Sequence, residues 1–431
     1  MKTTFFAKKD AGFYALLLIL AGLAAWLLLY DMHYGPWAYS DSVEYIVSAK
    51  SLLAGQGLGI PSPEGGFMPL TLHPPFYSLL LAPFLALGLD AFAVIKAINT
   101  ALFCLTLLIL GIGVYRMTRS ALAGLSVSAL FLLAPAMLRD FDGAMSEPVF
   151  IFLSVLNLFL LLKEIFQPSK WSFWGAVVCA SLAMLTRYIG AASIFVGFFL
   201  LLFFPAQPWK KRALRAVGYA VFSAVPTAIW LLYTASLSGS LASRSINSGL
   251  SLSSAVFTLR AELNSVLIKW LPFRETWYPT WSAKIYTVYA VILVSALLFA
   301  ALLWKWYRAR KAKAADPEIT SSLALVTAAL LYCAGYLGFL LLSLFSSIPP
   351  DLNERMYSPI QPMVWIILFG TCYAVIRAYR LPALMIIVPV LLAVLLGYSF
   401  WQQTYSDASD RYEKGDGYAG PDWQTSPTLQ A

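Results

Sequence analysis

Apolar runs of about 20 residues, the length that carries a helix across a hydrocarbon core, recur along nearly the whole of this 431-residue chain. Their recurrence at every stage of the sequence makes the protein polytopic rather than anchored at one end. Composition agrees: 60% of residues are hydrophobic and 12% charged, with a mean hydropathy of +0.73, outside the range of soluble globular domains. The first run, 11 to 30, follows Lys2, Lys8 and Lys9. It is long and lacks a small-x-small cleavage site, so it reads as a retained helix rather than a signal peptide.

Eleven segments are long enough to be candidate spans: 11–30, 91–114, 120–138, 148–164, 171–186, 189–205, 213–236, 284–304, 320–346, 356–377 and 382–401. One further apolar run, Pro74 to Leu89, is ambiguous. Were it a span, Lys210-Lys211-Arg212-Arg215 and Lys305-Arg308-Arg310-Lys311-Lys313 would fall outside, against the excess of Lys and Arg on cytoplasmic loops. It is therefore expected to be an interfacial or re-entrant helix. With that choice the N-terminus is inside, and the basic gaps at Arg116/Arg119, Lys163/Lys170 and Arg377/Arg380 share its side. The net charge of +9 then follows from topology and points to no nucleic acid. Cys104, Cys179, Cys333 and Cys372 all lie within apolar runs, as packing residues do, with no spacing that suggests a metal.

All but four of the 21 acids (Asp10, Glu164, Asp316 and Glu318) fall on the outer side. Chemistry is accordingly expected in the outer loops. In the first, Tyr45, Ile46, Ala49, Leu52 and Leu53 recur at helical spacing after Ser40, which predicts a short surface helix with Asp41 in its first turn, where amide dipoles favour a carboxylate. Asp41 reads equally as a plain helix-start residue. "GQGLG", Gly55 to Gly59, lacks the spacing of a nucleotide loop and is expected to be a turn. "TLHPPFYSLLLAPF" sets His73 at the water-facing start of an apolar helix, where it either lies at the interface or meets a phosphate. The second loop, "RDFDGAMSEPVF", has Asp140 and Asp142 at Asp-x-Asp spacing and Glu147 before Pro148; such a pair can offer oxygens to a divalent cation, although it is common in loops.

Arg187 in "LTRYIG" stands at the outer interface, either snorkelling to lipid or meeting a partner. Arg355 in "SIPPDLNERMYSPIQP" begins a late helix beside Asp351 and Glu354. Between residues 237 and 284, Val256, Leu259, Leu263, Val266, Leu267 and Trp270 form one face of an expected amphipathic helix, followed by the aromatics Trp277, Tyr278 and Trp281. The stretch after Gln402, with Asp407, Asp410, Glu413, Asp416 and Asp422, reads as a solvated acidic tail whose loss would be tolerated.

In this order the pieces resemble the GT-C superfamily of integral-membrane glycosyltransferases, particularly the branch with the protein O-mannosyltransferases and the lipid A aminoarabinose transferase. The similar features are "D-x-x-x-Y-x-x-x-A-x-x-L" (Asp41, Tyr45, Ala49, Leu52), "HPPFY", "MSEP", "TRY" and an arginine before a Pro-rich helix. They cover the first 240 residues well and the rest loosely. The resemblance implies an all-α polytopic protein of the bacterial plasma membrane, with about eleven transmembrane helices and extracytoplasmic interfacial helices. Its parts are then a catalytic module at 1–240, an outer loop at 241–283, terminal spans at 284–401 and the tail at 402–431.

The resemblance also implies a reaction: transfer of a sugar, with inversion, from a polyprenyl-phosphate donor to a hydroxyl on a lipid, glycan or protein acceptor, on the extracytoplasmic side. Asp41 is then the base, with Asp142 or Glu147 as second acid; His73, Arg187 and Arg355 neutralise the departing phosphate. No cofactor is certain, and a divalent metal, Mg or Mn, would fall to Asp41, Asp140 and Asp142. Two features depart from the pattern: the mannosyltransferase branch carries Asp-Glu where Asp41-Ser42 stands here, and no large C-terminal soluble domain follows. The rival readings are a non-catalytic lipid-binding or lipid-flipping protein and a lipid-linked oligosaccharide ligase or polymerase. A transporter would place ionisable residues inside its spans, and only Lys96 does so.

Overall fold

The computed structural model describes residues 10–62, 66–204, 207–239, 245, 249–270, 280–312, 316–416 and 420–421. In chain order the elements are α1 (Ala11–Asp31), α2 (Ser40–Leu53), β1 (Gly59–Pro61), β2 (Phe67–Pro69), α3 (Phe76–Ala86), α4 (Ala91–Thr118), α5 (Ala121–Leu133), α6 (Pro135–Phe141), α7 (Glu147–Phe166), α8 (Lys170–Thr186) and α9 (Ala191–Phe203). Then follow α10 (Trp209–Ser238), α11 (Leu252–Lys269), α12 (Trp281–Lys311), α13 (Pro317–Ser343), α14 (Glu354–Tyr357), α15 (Gln361–Ala378) and α16 (Pro382–Lys414). The only sheet among the described residues is the antiparallel pair β1–β2, with Gly59 opposite Pro69; it follows the turn expected at Gly55 to Gly59, which is present at 54–56, and was not foreseen from the sequence.

Each of the eleven expected spans is helical, but length divides them. Eight of the described helices are long and apolar enough to cross a membrane, or nine if α5 and α6, bent by 64° at Ala134–Pro135, count as one. The bend is where Pro135 opens α6, since proline cannot continue the preceding hydrogen-bond ladder. The expected count of eleven is not confirmed: α8 has 17 residues, about 25 Å of helix and at the short limit for a core of roughly 30 Å. Its neighbour, Tyr188–Phe203, is another shorter apolar helix. The ambiguous run from Pro74 becomes α3, 11 residues long. This is too short to span, in keeping with an interfacial helix.

Contacts between helix ends sort the molecule into a basic and an acidic end. At one end Tyr115 donates to Asp10 at 2.6 Å, Ser321 to the Met117 carbonyl at 2.5 Å, and Arg215 pairs with Glu164, Arg377 with Glu318. At the other, Asp31, Asp41, Asp142 and Glu147 meet arginines. A single apolar core joins the two ends, running from Phe13 in α1 through Phe103, Phe131 and Phe141 to Phe369 in α15 and Ala408 in α16.

The stretch read as a solvated tail is helical to Lys414, since α16 runs unbroken for 33 residues. Thr404 and Ala408 on it are buried. The amphipathic helix foreseen in the long outer loop is present as α11, with Ala255 and Val266 on its buried side. Trp277, Tyr278, Asp422 and Lys313 lie outside the described residues.

Candidate active site

The segment entering α2 is fixed by the second outer loop. The Trp37 N–H donates to the Asp142 carbonyl at 3.2 Å, and the Trp37 carbonyl accepts from the Ala144 N–H at 2.7 Å. Its indole donates to the Arg139 carbonyl at 3.1 Å and to the Asp142 carboxylate. A Cβ on Gly143 would lie 2.5 Å from the Trp37 ring, so the close approach of the two loops requires glycine there. Two residues on, Ser42 accepts from the Tyr39 N–H at 3.1 Å in a capping box. The helix therefore starts at Ser40, with Tyr39 as its cap, and Asp41 stands in the first turn as expected.

Three further elements bring their side chains to Asp41. Glu147 opens α7 ahead of Pro148, Arg187 sits on the extended residue between α8 and the turn Tyr188–Gly190, and Arg355 lies in the single turn α14, capped by Asn353. Glu147 Oε1 is 2.6 Å from Arg187 Nη1 and 3.1 Å from Arg355 Nε. The same Arg355 reaches Asp41 Oδ2 at 3.5 Å through Nη2. Glu147 is 1% exposed, whereas Asp41 and Arg355 keep 30% and 26% of their side-chain surface open. Its second oxygen, Oε2, is buried without a hydrogen-bond partner.

His73 joins through a relay. Its Nδ1 is 3.4 Å from the Tyr45 hydroxyl, which is 3.4 Å from Ser146 Oγ, which accepts from Arg187 at 3.3 Å; its Nε2 faces Glu44 at 3.5 Å. Burial, with help from Asp41, raises the Glu44 carboxyl above its ordinary value. Burial also raises the Tyr45 hydroxyl well beyond the usual range, so it remains a neutral donor. For Arg187, burial disfavours the charge, but Glu147 together with Tyr336, Tyr45 and Asp140 more than offsets it, and the guanidinium titrates above its ordinary value.

The expected catalytic carboxylates part company. Asp41 and Glu147 share Arg355, but Asp142 turns away into a second network: Arg411 Nε lies 2.6 Å from Asp31 Oδ1 and 3.1 Å from Asp142 Oδ2, with Arg139 bridging to Asp416. Burial first, then Asp31, push the Asp142 carboxyl well up, opposed by Arg411 and Arg139. A cavity of about 10 Å³ lies among these groups, room for one water at most. Asp140 is buried and accepts from the Ser358 hydroxyl.

The three expected metal ligands, Asp41, Asp140 and Asp142, thus face Arg355, Ser358 and Arg411 respectively, and no group of three His, Cys, Asp or Glu among the described residues could hold a metal ion. The donor set does not fit a divalent cation. Sequence reasoning missed Ser146, Asp31 and Arg411. Asp407/Arg411 and Asp410/Lys414, each four apart, were the signal that the helix continues.

No protein-family model and no curated protein matches the chain. Solved structures do. ArnT from Cupriavidus metallidurans in the apo state superposes with a TM-score of 0.53 at 12% identity, covering 94% of this chain and 78% of that one. The same protein bound to undecaprenyl phosphate gives 0.54 at 12% identity over 92% and 77%. The Archaeoglobus fulgidus oligosaccharyltransferase, in complex with Zn and sulfate, gives 0.53 at 13% identity over 93% of this chain but 53% of the longer partner. Likeness at such identities speaks for architecture: the chain shares the membrane-helical fold of these proteins.

Proposed function

We propose that this protein transfers a sugar, with inversion, from a polyprenyl-phosphate donor to an acceptor hydroxyl at its acidic end, on the extracytoplasmic side; the basic clusters at the other end support that orientation. The observation that carries the reading is one arginine, Arg355, shared between half-open Asp41 and buried Glu147, which also holds Arg187. The ArnT structure bound to undecaprenyl phosphate supports the donor class.

In this reading Asp41 takes the proton of the acceptor hydroxyl as its oxygen attacks the anomeric carbon. The bond from that carbon to the phosphate oxygen breaks, and polyprenyl phosphate leaves. Charge then grows on the phosphate, where Arg355 and Arg187 stabilise it. Glu147 is the positioning residue: its ion pairs fix both guanidinium groups before substrate arrives.

Membranes carrying wild type or Asp41→Asn, offered a panel of radiolabelled polyprenyl-phosphate sugars with and without a chelator, test this. Expected is transfer by wild type that the variant loses while still binding donor. Equal transfer by both proteins would make Asp41 a helix-start residue only. Donor binding without transfer by either would favour a lipid-binding protein.

A further inference from the structure

At the opposite, basic end, α12 packs chiefly on α15, burying Leu302 against Ala374 and Ala378. This leaves a gap toward α9 and α13: a cavity of about 530 Å³ lined by residues including Phe204, Leu303, Trp306, Leu323, Leu330 and Ala334. Leu303 and Leu330 remain exposed in it, so in a membrane the cavity opens to lipid. Its lining is apolar except for Thr327. Trp306 is held by its indole N–H, which donates to Thr320 Oγ1 at 3.1 Å, just before the basic last turn of α12.

Two arginines adjoin residues of the lining. The α12 stripe Phe299, Leu303, Trp306 continues one turn later at Arg310, whose guanidinium carbon is 5.0 Å from the Trp306 ring centre. From α10, Arg212 donates to the Phe203 carbonyl at 3.4 Å, next to Phe204 of the lining, and its Nε is buried without a hydrogen-bond partner. Arg377 nearby is paired with Glu318, but among the described residues no carboxylate pairs with Arg212 or Arg310.

We propose that this groove is a binding site for an anionic phospholipid of the leaflet at the basic end. One acyl chain fills the apolar gap, and the phosphate lies against Arg310 and Arg212. A zwitterionic lipid would match the groove but leave the two cations uncompensated, and basic pockets between membrane helices select anionic headgroups for this reason. The site stands at the other end of the bundle from Glu147, so it does not depend on the proposed transfer.

Native mass spectrometry of the delipidated full chain, titrated with phosphatidylglycerol and with phosphatidylcholine of the same acyl chains, tests it. Phosphatidylglycerol is expected to bind about fivefold tighter or more. Arg310→Ala should lose about fivefold for phosphatidylglycerol with phosphatidylcholine unmoved, and Leu330→Trp, which fills the gap, should weaken both. Equal binding of the two lipids to wild type overturns the proposal. So does wild-type affinity for phosphatidylglycerol in Arg310→Ala, an exposed change that decides the matter even if Leu330→Trp fails to fold. Displacement of phosphatidylglycerol by polyprenyl phosphate would also overturn it, giving the groove to the donor tail.

Discussion

The network around Glu147 and the network around Asp142 lie at the same end of the bundle and use the same parts, carboxylates shared between arginines, yet they differ in what can reach them. Around Glu147 the outer members stay partly open, Asp41 at 30% and Arg355 at 26%. Around Asp142 the acids are sealed, Asp31 at 0% and Asp142 at 3%, under the carboxyl-terminal end of α16. An ion pair with an open edge can exchange a carboxylate for an incoming phosphate; a sealed one can only hold helices together. Access, rather than charge, separates the candidate site from the lock that joins α1, α6 and α16.

The largest effect expected is on rate and should fall on one network only. Asp41→Asn is expected to slow transfer by about 10²- to 10⁴-fold, the range for a lost general base, with the melting temperature unchanged, whereas Asp142→Asn should lower the melting temperature in detergent and leave transfer near wild type. A folded Asp142→Asn protein that cannot transfer would break the comparison. Next comes Arg411→Ala, which strands Asp31 and Asp142 in the interior without their shared cation. A loss of about 3–5 kcal/mol is expected, as when one partner of a buried pair is removed, read as a lowered unfolding midpoint. Truncation before Gln402 should mimic it, and full stability after truncation would return the segment to the status of a dispensable tail.

Gly143→Ala is expected to cost about 1–3 kcal/mol, the usual range for overpacking, because the Trp37 ring must move. Since Trp37 leads into Asp41, this variant should also depress transfer, which a purely structural defect in the Asp142 network would not. Smaller again is Arg139→Ala: a third of its side chain is exposed, so less than about 1 kcal/mol is expected. The smallest effect is on pH dependence. Burial and Asp41 raise the Glu44 carboxyl above 4.5, so its protonated form favours the fold. That contribution is present at low pH and lost as pH climbs through the raised value. Glu44→Gln should therefore flatten the stability profile just above pH 4.5, checked by thermal unfolding across that window.

Much of this was legible beforehand, and the misses have physical causes. α2, α3 and α11 could be read because apolar periodicity and Pro-Pro punctuation are local signals. Asp41, Glu147, Arg187 and Arg355 stood out as charges at the ends of apolar runs, where an ion is costly without a purpose. Asp142 stands apart from Asp140 because Asp-x-Asp spacing says that two oxygens are near in sequence, not that they face the same way; the two flank the end of α6 and point to Arg411 and Ser358. The tail was misread because acidic composition hid a helix that Arg411 secures through the buried Asp31 and Asp142.

The sequence by itself determined the recurrence of membrane helices, their separation into a basic and an acidic end, and the set of charged residues available to a site. Those follow from lengths and charges that act one segment at a time. Only the tertiary structure decided which carboxylate meets which arginine, because Glu147 and Arg355 are brought within 3.1 Å by packing between helices far apart in the chain. It alone decided that Asp142 is sealed while Asp41 is open, since exposure depends on what the last helix covers.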